Sequence, residues 1–296
     1  MFPRTLQHRH PFSRMARIIL SCLLLFSGTA AAVALPQDAG DGDRPYLVFG
    51  FLPIVSSERL VRRFSPLVDY LSQQTGLEIR METAPDFAAF IRRTREPGRY
   101  DILFTAPHLY YLAHRDSGYR AVARVAREHM KAVIVVPGDS DISAPAGLAG
   151  RRLATTDPLA LATLLARALL RDAGLDPDTD LTLVATPSHN ASLLAAYQGN
   201  TDAAVLMRPL YLRAPAAVRE QMKIIASTRG VPHMPIAVAP WVDEDLGGRL
   251  RRALLGLTRS ARGRALLQQT GMPGFAPVRG DEYDTLDGVA AQVKVE

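Results

Sequence analysis

The chain has 296 residues, 48% hydrophobic and 22% charged, the balance of a folded globular protein with enough apolar side chains to bury a sizeable core. Of its formal net charge of +6, four units come from Arg4, Arg9, Arg14 and Arg17, so +2 remains beyond them and the charge footprint of a nucleic-acid-binding protein is missing. Its one cysteine, Cys22, lies in the same N-terminal stretch, so the sequence after it offers no disulfide, no thiol nucleophile and no cysteine metal ligand.

That stretch is basic up to Arg17, apolar from Ile18 to Phe26 and rich in small residues from Ser27 to Ala34. This is the order of a secretory signal peptide, with Ala32-Val33-Ala34 as the small-x-small cleavage pattern. Its apolar run is too short to cross a bilayer, which takes about 20 residues. Residues 1–34 are therefore expected to be removed on export to the periplasm, and residues 35–44, polar and glycine-rich, to form a disordered leader.

From residue 45 strand-like and helix-like segments alternate. Residues 46–51 are an apolar strand, and residues 57–74 carry Leu60, Val61, Phe64, Leu67, Val68 and Leu71 at helical spacing. Ser65-Pro66 fits a cap and first helical position, so this helix is expected to restart or kink there, and Gly76 to end it. Leu77, Ile79 and Met81 alternate with Glu78, Arg80 and Glu82 as in a half-buried strand. Asp86 opens a helix with Phe87, Phe90 and Ile91 inward, residues 100–105 form a strand, and Pro107 starts a helix that stops before Gly118.

A second run follows. Strands are expected at 132–137, 152–155, 181–185 and 203–207, with a helix at 158–172 capped by Asp157, its first position taken by Pro158, and another at 190–198. Residues 223–227 and 236–239 read as strands, and 244–257, 260–270 and 282–294 as helices. Alternation of this kind predicts α/β sheets covered on both faces. Glycine motifs for phosphate or dinucleotide binding and the Gly-x-Ser-x-Gly elbow are absent, and Ser188 beside His189 lacks the acid partner and geometry of a nucleophile–base pair. His129-Met130 and His233-Met234 have no local metal-ligand spacing, so no metal is expected.

Several segments in order resemble the phosphonate/phosphate/phosphite-binding family of periplasmic solute-binding proteins. They are the opening strand with its Pro53 loop, residues 64–76 (FSPLVDYLSQQTG), 101–113 (DILFTAPHLYYLA), 148–153 (LAGRRL), 188–193 (SHNASL) with 199–204 (GNTDAA), and 274–278 (GFAPV) leading to Tyr283-Asp284. The resemblance implies a type II periplasmic binding protein fold: α/β, two-lobed, with two mixed sheets flanked by helices and a ligand cleft at the hinge. One lobe would be residues 45–130 with 228–296, the other residues 131–227. It also implies a monomer that passes a small solute to the membrane permease of an ABC transporter, or signals through a membrane-bound kinase, with no cofactor and no catalysis, the alternative being one of the few enzymes built on the same fold.

Open α/β sheets bind ligands beyond the carboxyl ends of their strands, where helix N-termini present N–H groups to anions. Four loops meet that description, which makes Pro53, Ser56, Thr105, His108, Thr156, Asp157 and Leu159 candidates, along with Ser188, His189 and Asn190. Tyr110 matches the family's Pro-x-x-Tyr position, where a phenol stacks on a ligand and hydrogen-bonds to it, while Tyr111 is expected in the core. Ser188 or Asn190 also suits a helix cap, a role compatible with binding. Arg208, just past a strand end, is the candidate counter-charge. The family's hydroxyl-rich stretch after Asp-Pro is replaced here by Leu159-Ala-Leu-Ala162, which offers no side-chain donor to a phosphonate head. A carboxylate with an apolar body suits this loop better.

Overall fold

The computed structural model describes residues 44–295, so the signal-peptide expectation and the leader up to residue 43 fall outside the described residues. In chain order the first half runs β1 (Tyr46–Phe51), α1 (Ser57–Thr75), β2 (Glu78–Thr83), α2 (Phe87–Arg95), β3 (Ile102–Phe104), α3 (Pro107–Ser117) and β4 (Arg120–Val125). The chain then crosses to β5 (Ala132–Pro137), β6 (Arg152–Thr155), α4 (Leu161–Asp172), β7 (Thr182–Ala185), α5 (His189–Tyr197), β8 (Ala203–Met207), α6 (Arg208–Leu212), α7 (Ala216–Arg219) and β9 (Met222–Ser227). It returns through β10 (Pro235–Val238), α8 (Glu244–Gly256), α9 (Ala261–Thr270), β11 (Phe275–Ala276) and α10 (Asp287–Ala290).

Two mixed sheets result, in the orders β11-β4-β10-β3-β1-β2 and β7-β6-β8-β5-β9. In the first, β1 runs parallel to β2 and β3 while β10 is antiparallel to β3 and β4. In the second, β6 runs parallel to β7 and β8 while β5 is antiparallel to β8 and β9. The chain passes between the sheets twice, and the two passages pair with each other. Met130 and Val231 exchange backbone hydrogen bonds of 2.8 and 3.0 Å. Gly230 permits this approach, because a Cβ there would stand 2.7 Å from the Cβ of His129.

The first sheet is fastened by Asp101, a buried carboxylate whose oxygens accept from Val48 N–H at 2.7 Å and from the indole N–H of Trp241 at 2.8 Å. Arg44 lies 3.6 Å from the same carboxylate. Phe49, Phe51, Phe64 and Phe104 interlock on one face of the sheet, with Phe51 and Phe64 ring centres 5.1 Å apart. Each such fully buried side chain contributes about 1.5–3 kcal/mol.

Three expectations need correction. α1 does not restart at Pro66: it runs from Ser57 to Thr75 with Pro66 inside, and the Ser65 hydroxyl donates to the Val61 carbonyl one turn back. Leu60, Phe64, Leu67, Val68 and Leu71 bury on both sides of the proline, and that burial outweighs the roughly 3 kcal/mol cost of a mid-helix proline. α4 begins at Leu161, because the Asp157 carboxylate accepts from Leu159 N–H at 2.7 Å and the Asp157 carbonyl from Ala160 N–H, which makes residues 157–160 a turn. The stretch 282–294 is a short 3-10 turn and the four-residue α10, and the chain beyond Ala291 is not helical. β4, α6, α7 and β11 were not anticipated, each being short or carrying charges among its apolar residues.

Candidate functional site

Parallel strands β1, β3, β6 and β7 send the loops after them toward the region where the chain crosses between sheets, and the helices that follow begin there. α3 starts at Pro107 with no side-chain cap, so the first-turn positions lie beside the loop, and His108 is the second residue of that turn. Fully buried, its Nε2 stands 2.9 Å from the carbonyl oxygen of Leu159 in the loop after β6. A carbonyl only accepts, so Nε2 carries the proton and Nδ1 is a bare lone pair. Nδ1 has neither a protein partner nor solvent. Burial lowers the His108 pKa from 6.5 to about 4, against the opposite pull of the Leu159 bond.

The partner loop is tightly organised. Thr156 is buried with its hydroxyl 3.5 Å from that of Thr163 in the first turn of α4. Asp157 closes the turn described above; burial raises its pKa, the Leu159 N–H works against this, and the charge of Asp86 adds to it. Asp86 caps α2 through Ala89 N–H at 2.6 Å, so the loop after β6 feels the start of a first-sheet helix. Beside Leu159 lies a cavity of about 720 Å³, lined by Thr155, Leu159, Thr163, Arg167, Arg171 and Gln292 among others. Gln292, far along the chain, closes it: its amide donates to the Leu164 carbonyl at 3.3 Å, and Arg171 donates to its carbonyl oxygen at 2.8 Å. Arg167 contacts both oxygens of Asp178 at 2.6 Å, which lowers the Asp178 carboxyl.

At the loop after β7, Ser188 caps α5 by accepting from Ala191 N–H at 3.1 Å. His189 follows with a buried, unpartnered Nδ1 and a pKa lowered by burial to about 4. Asn190 is exposed. Thr186, not singled out from sequence, ties this loop to the previous one by donating to the Thr155 carbonyl at 2.8 Å. At the loop after β1, Pro53 is half-buried and Ser56 is exposed at the start of α1, with no side-chain capping bond.

Three candidates sit elsewhere. The Tyr110 hydroxyl accepts from Ala121 N–H at 3.0 Å and its ring meets Tyr283 edge-on at 4.7 Å, so this phenol is built into the first-sheet core. Tyr111, expected there, is half-buried and donates to Asp287 at 3.0 Å. Thr105 is buried with an unpartnered hydroxyl and lines a small void with Phe90, Leu109 and Leu112, inside the first-sheet half. Arg208 is exposed and lines a groove with Arg127, Lys131 and Arg213, a set that shares no residue with the cavity beside Leu159. Among the described residues no group of His, Cys, Asp and Glu is arranged to hold a metal ion.

Gln292, Arg167, Arg171 and Thr163 were missed from sequence. Only folding brings residue 292 next to residue 164, and no local pattern signals it.

Comparison with solved structures finds the same two-sheet architecture in other chains. A binding-protein component of an ABC phosphonate transporter from Pseudomonas aeruginosa superposes with a TM-score of 0.70 at 19% identity, over 83% of this chain and 86% of that one. The chloride-bound XAC2383 of Xanthomonas citri gives 0.74 at 20%, over 84% and 97%. PhnD1 of Prochlorococcus marinus with methylphosphonate gives 0.72 at 16%, over 84% and 98%. Residues 49–283 match the family model described as ABC transporter, phosphonate, periplasmic substrate-binding protein. The chain belongs to this family of phosphonate-type periplasmic substrate-binding proteins of ABC transporters.

Proposed function

We propose that the chain is the soluble, periplasmic and monomeric receptor of an ABC-type uptake system, and that its sheets are the cores of two lobes, residues 45–130 with 228–296 and residues 131–227, which close on a small solute. The hydrogen bond from His108 to the Leu159 carbonyl carries this reading, because it joins the two lobes directly and opening a hinge would break it. The paired crossings at Met130 and Val231 supply two adjacent strands for such a hinge. Binding and release, without turnover, is the role assigned. The ligand meets Pro53 and Ser56 from one lobe and the Thr156–Leu159 and Ser188–Asn190 loops from the other, with His108 at the junction.

For the ligand we favour a small carboxylate with an apolar body over phosphate or a simple phosphonate. Thr156 and Thr163 are the hydroxyls near the start of α4, and Leu159, Ala160, Leu161 and Ala162 add no side-chain donor. A phosphonate head short of donors would cost several kcal/mol. Native mass spectrometry of protein from its source should release an unaltered small anion, and X-ray scattering should show a smaller radius of gyration on adding it. Tight phosphonate binding in calorimetry would sink the ligand assignment, an unchanged radius at saturation would sink the hinge, and recovery of a chemically altered compound would sink the binding-only role.

A further inference from the structure

On another face of the crossing region lies a groove of about 460 Å³ lined by Arg127, Lys131, Arg208 and Arg213, with His129 and Glu128 at its wall. Four permanent cations thus face one carboxylate. None of the four makes an ion pair among the described residues, unlike Arg120 with Glu244, Arg152 with Asp202 and Arg249 with Asp245, and what sets them apart from other unpaired basic side chains is that they line one groove together. Arg63 of α1 extends the cluster: burial first, then the charges of Arg213 and Arg127, lowers its pKa. Among the described residues the groove therefore sets four like charges against the single carboxylate of Glu128, which pairs with none of them.

Its geometry is held from several sides. Arg63 donates through Nε to the Thr270 carbonyl at 2.5 Å and Arg127 through Nη2 to the Gly271 carbonyl at 3.1 Å, which anchors both on the C-terminal end of α9. Arg208 N–H donates to the Lys131 carbonyl at 2.9 Å, which holds the start of α6 against the crossing. A solvated basic face would be flat and interspersed with acids. This one is concave and of small-ligand size.

We propose that this groove is a second ligand site, separate from the cavity beside Leu159, for a small polyanion carrying two or more phosphate-type groups. Guanidinium forks pair bidentately with such oxyanions, and cations spread along a groove neutralise a chain of them better than a single monoanion. Arg127 lies on the crossing and Arg213 beyond β8, so a ligand must span both to use all four charges.

Calorimetry with sodium tripolyphosphate, pyrophosphate and orthophosphate tests this, at about 0.15 M salt so that unspecific attraction is screened. Tripolyphosphate should bind one to one and most tightly, Arg127→Gln/Arg213→Gln should weaken it by at least about tenfold, and Arg249→Gln, which removes a cation from α8 outside the groove, should leave it unchanged. If the double variant fails to fold, Lys131→Gln and Arg208→Gln, both at exposed positions, give the same readout. Absence of saturable tripolyphosphate binding, equal affinity in the groove variants, or an equal loss in Arg249→Gln would overturn the proposal, and so would binding to anionic vesicles alone.

Discussion

Substituting His108 by glutamine offers a sharp test of how the two halves are joined. Glutamine keeps an amide donor near the position of Nε2 and so can still reach the Leu159 carbonyl, but it has no proton to gain. In the folded protein burial holds His108 near a pKa of about 4, below the ordinary 6.5. The unfolded chain therefore binds more protons between these values, and stability falls as pH falls through that window. From about pH 7.5 to about pH 5 one such histidine removes about 2 kcal/mol. His189 and His233, whose pKa values burial also lowers to about 4, add to the loss, and both are less buried than His108. Urea unfolding at the two pH values should show His108→Gln losing about 2 kcal/mol less than the parent protein on acidification. Equal acid sensitivity in the two proteins would refute the buried, neutral imidazole and with it the proton placement at the junction.

Tyr110→Phe should cost about 1–2 kcal/mol of stability, read by thermal unfolding, because it leaves the N–H of Ala121 in β4 without its acceptor, and affinity for the native ligand should not change. A large loss of affinity at unchanged stability would return Tyr110 to the binding site. Gly263→Ala should prevent stable folding of the segment joining α8 and α9, since the new methyl would lie 2.0 Å from the Leu257 carbonyl oxygen. A melting temperature within a degree or two of the parent would contradict that packing.

Much of the fold was legible because its signals are local. Pro107 and Gly118 bracket α3, Asp86 and Ser188 mark helix starts through side-chain bonds to the third residue on, and the apolar runs at 46–51, 132–137 and 203–207 are central strands. β4 was not visible because Arg120 and Arg124 interrupt its apolar pattern, although the strand is held between β10 and β11. For the candidate site, strand-end positions pointed to His108 and Leu159, which the fold brings within a hydrogen bond of each other, whereas helical phase alone did not tell which neighbour of the Tyr110–Tyr111 pair packs inward. The cationic groove was only glimpsed through Arg208, since its other members lie at positions 127, 131 and 213 and meet only in three dimensions.

The bond between Trp241 and Asp101 gives the molecule a built-in optical probe. Trp241 is the only tryptophan in the chain, partly exposed, packed edge-on against Tyr119 at 6.0 Å and tethered through its indole nitrogen to a carboxylate that itself binds β1. Selectively excited emission therefore originates at one place, the outer end of the first sheet. It follows the melting of that sheet and is silent to rearrangements that leave the tether intact. A chain without this indole would be dark in such an assay, so an added tryptophan near Leu159 would report on the junction against a background whose source is a single known residue.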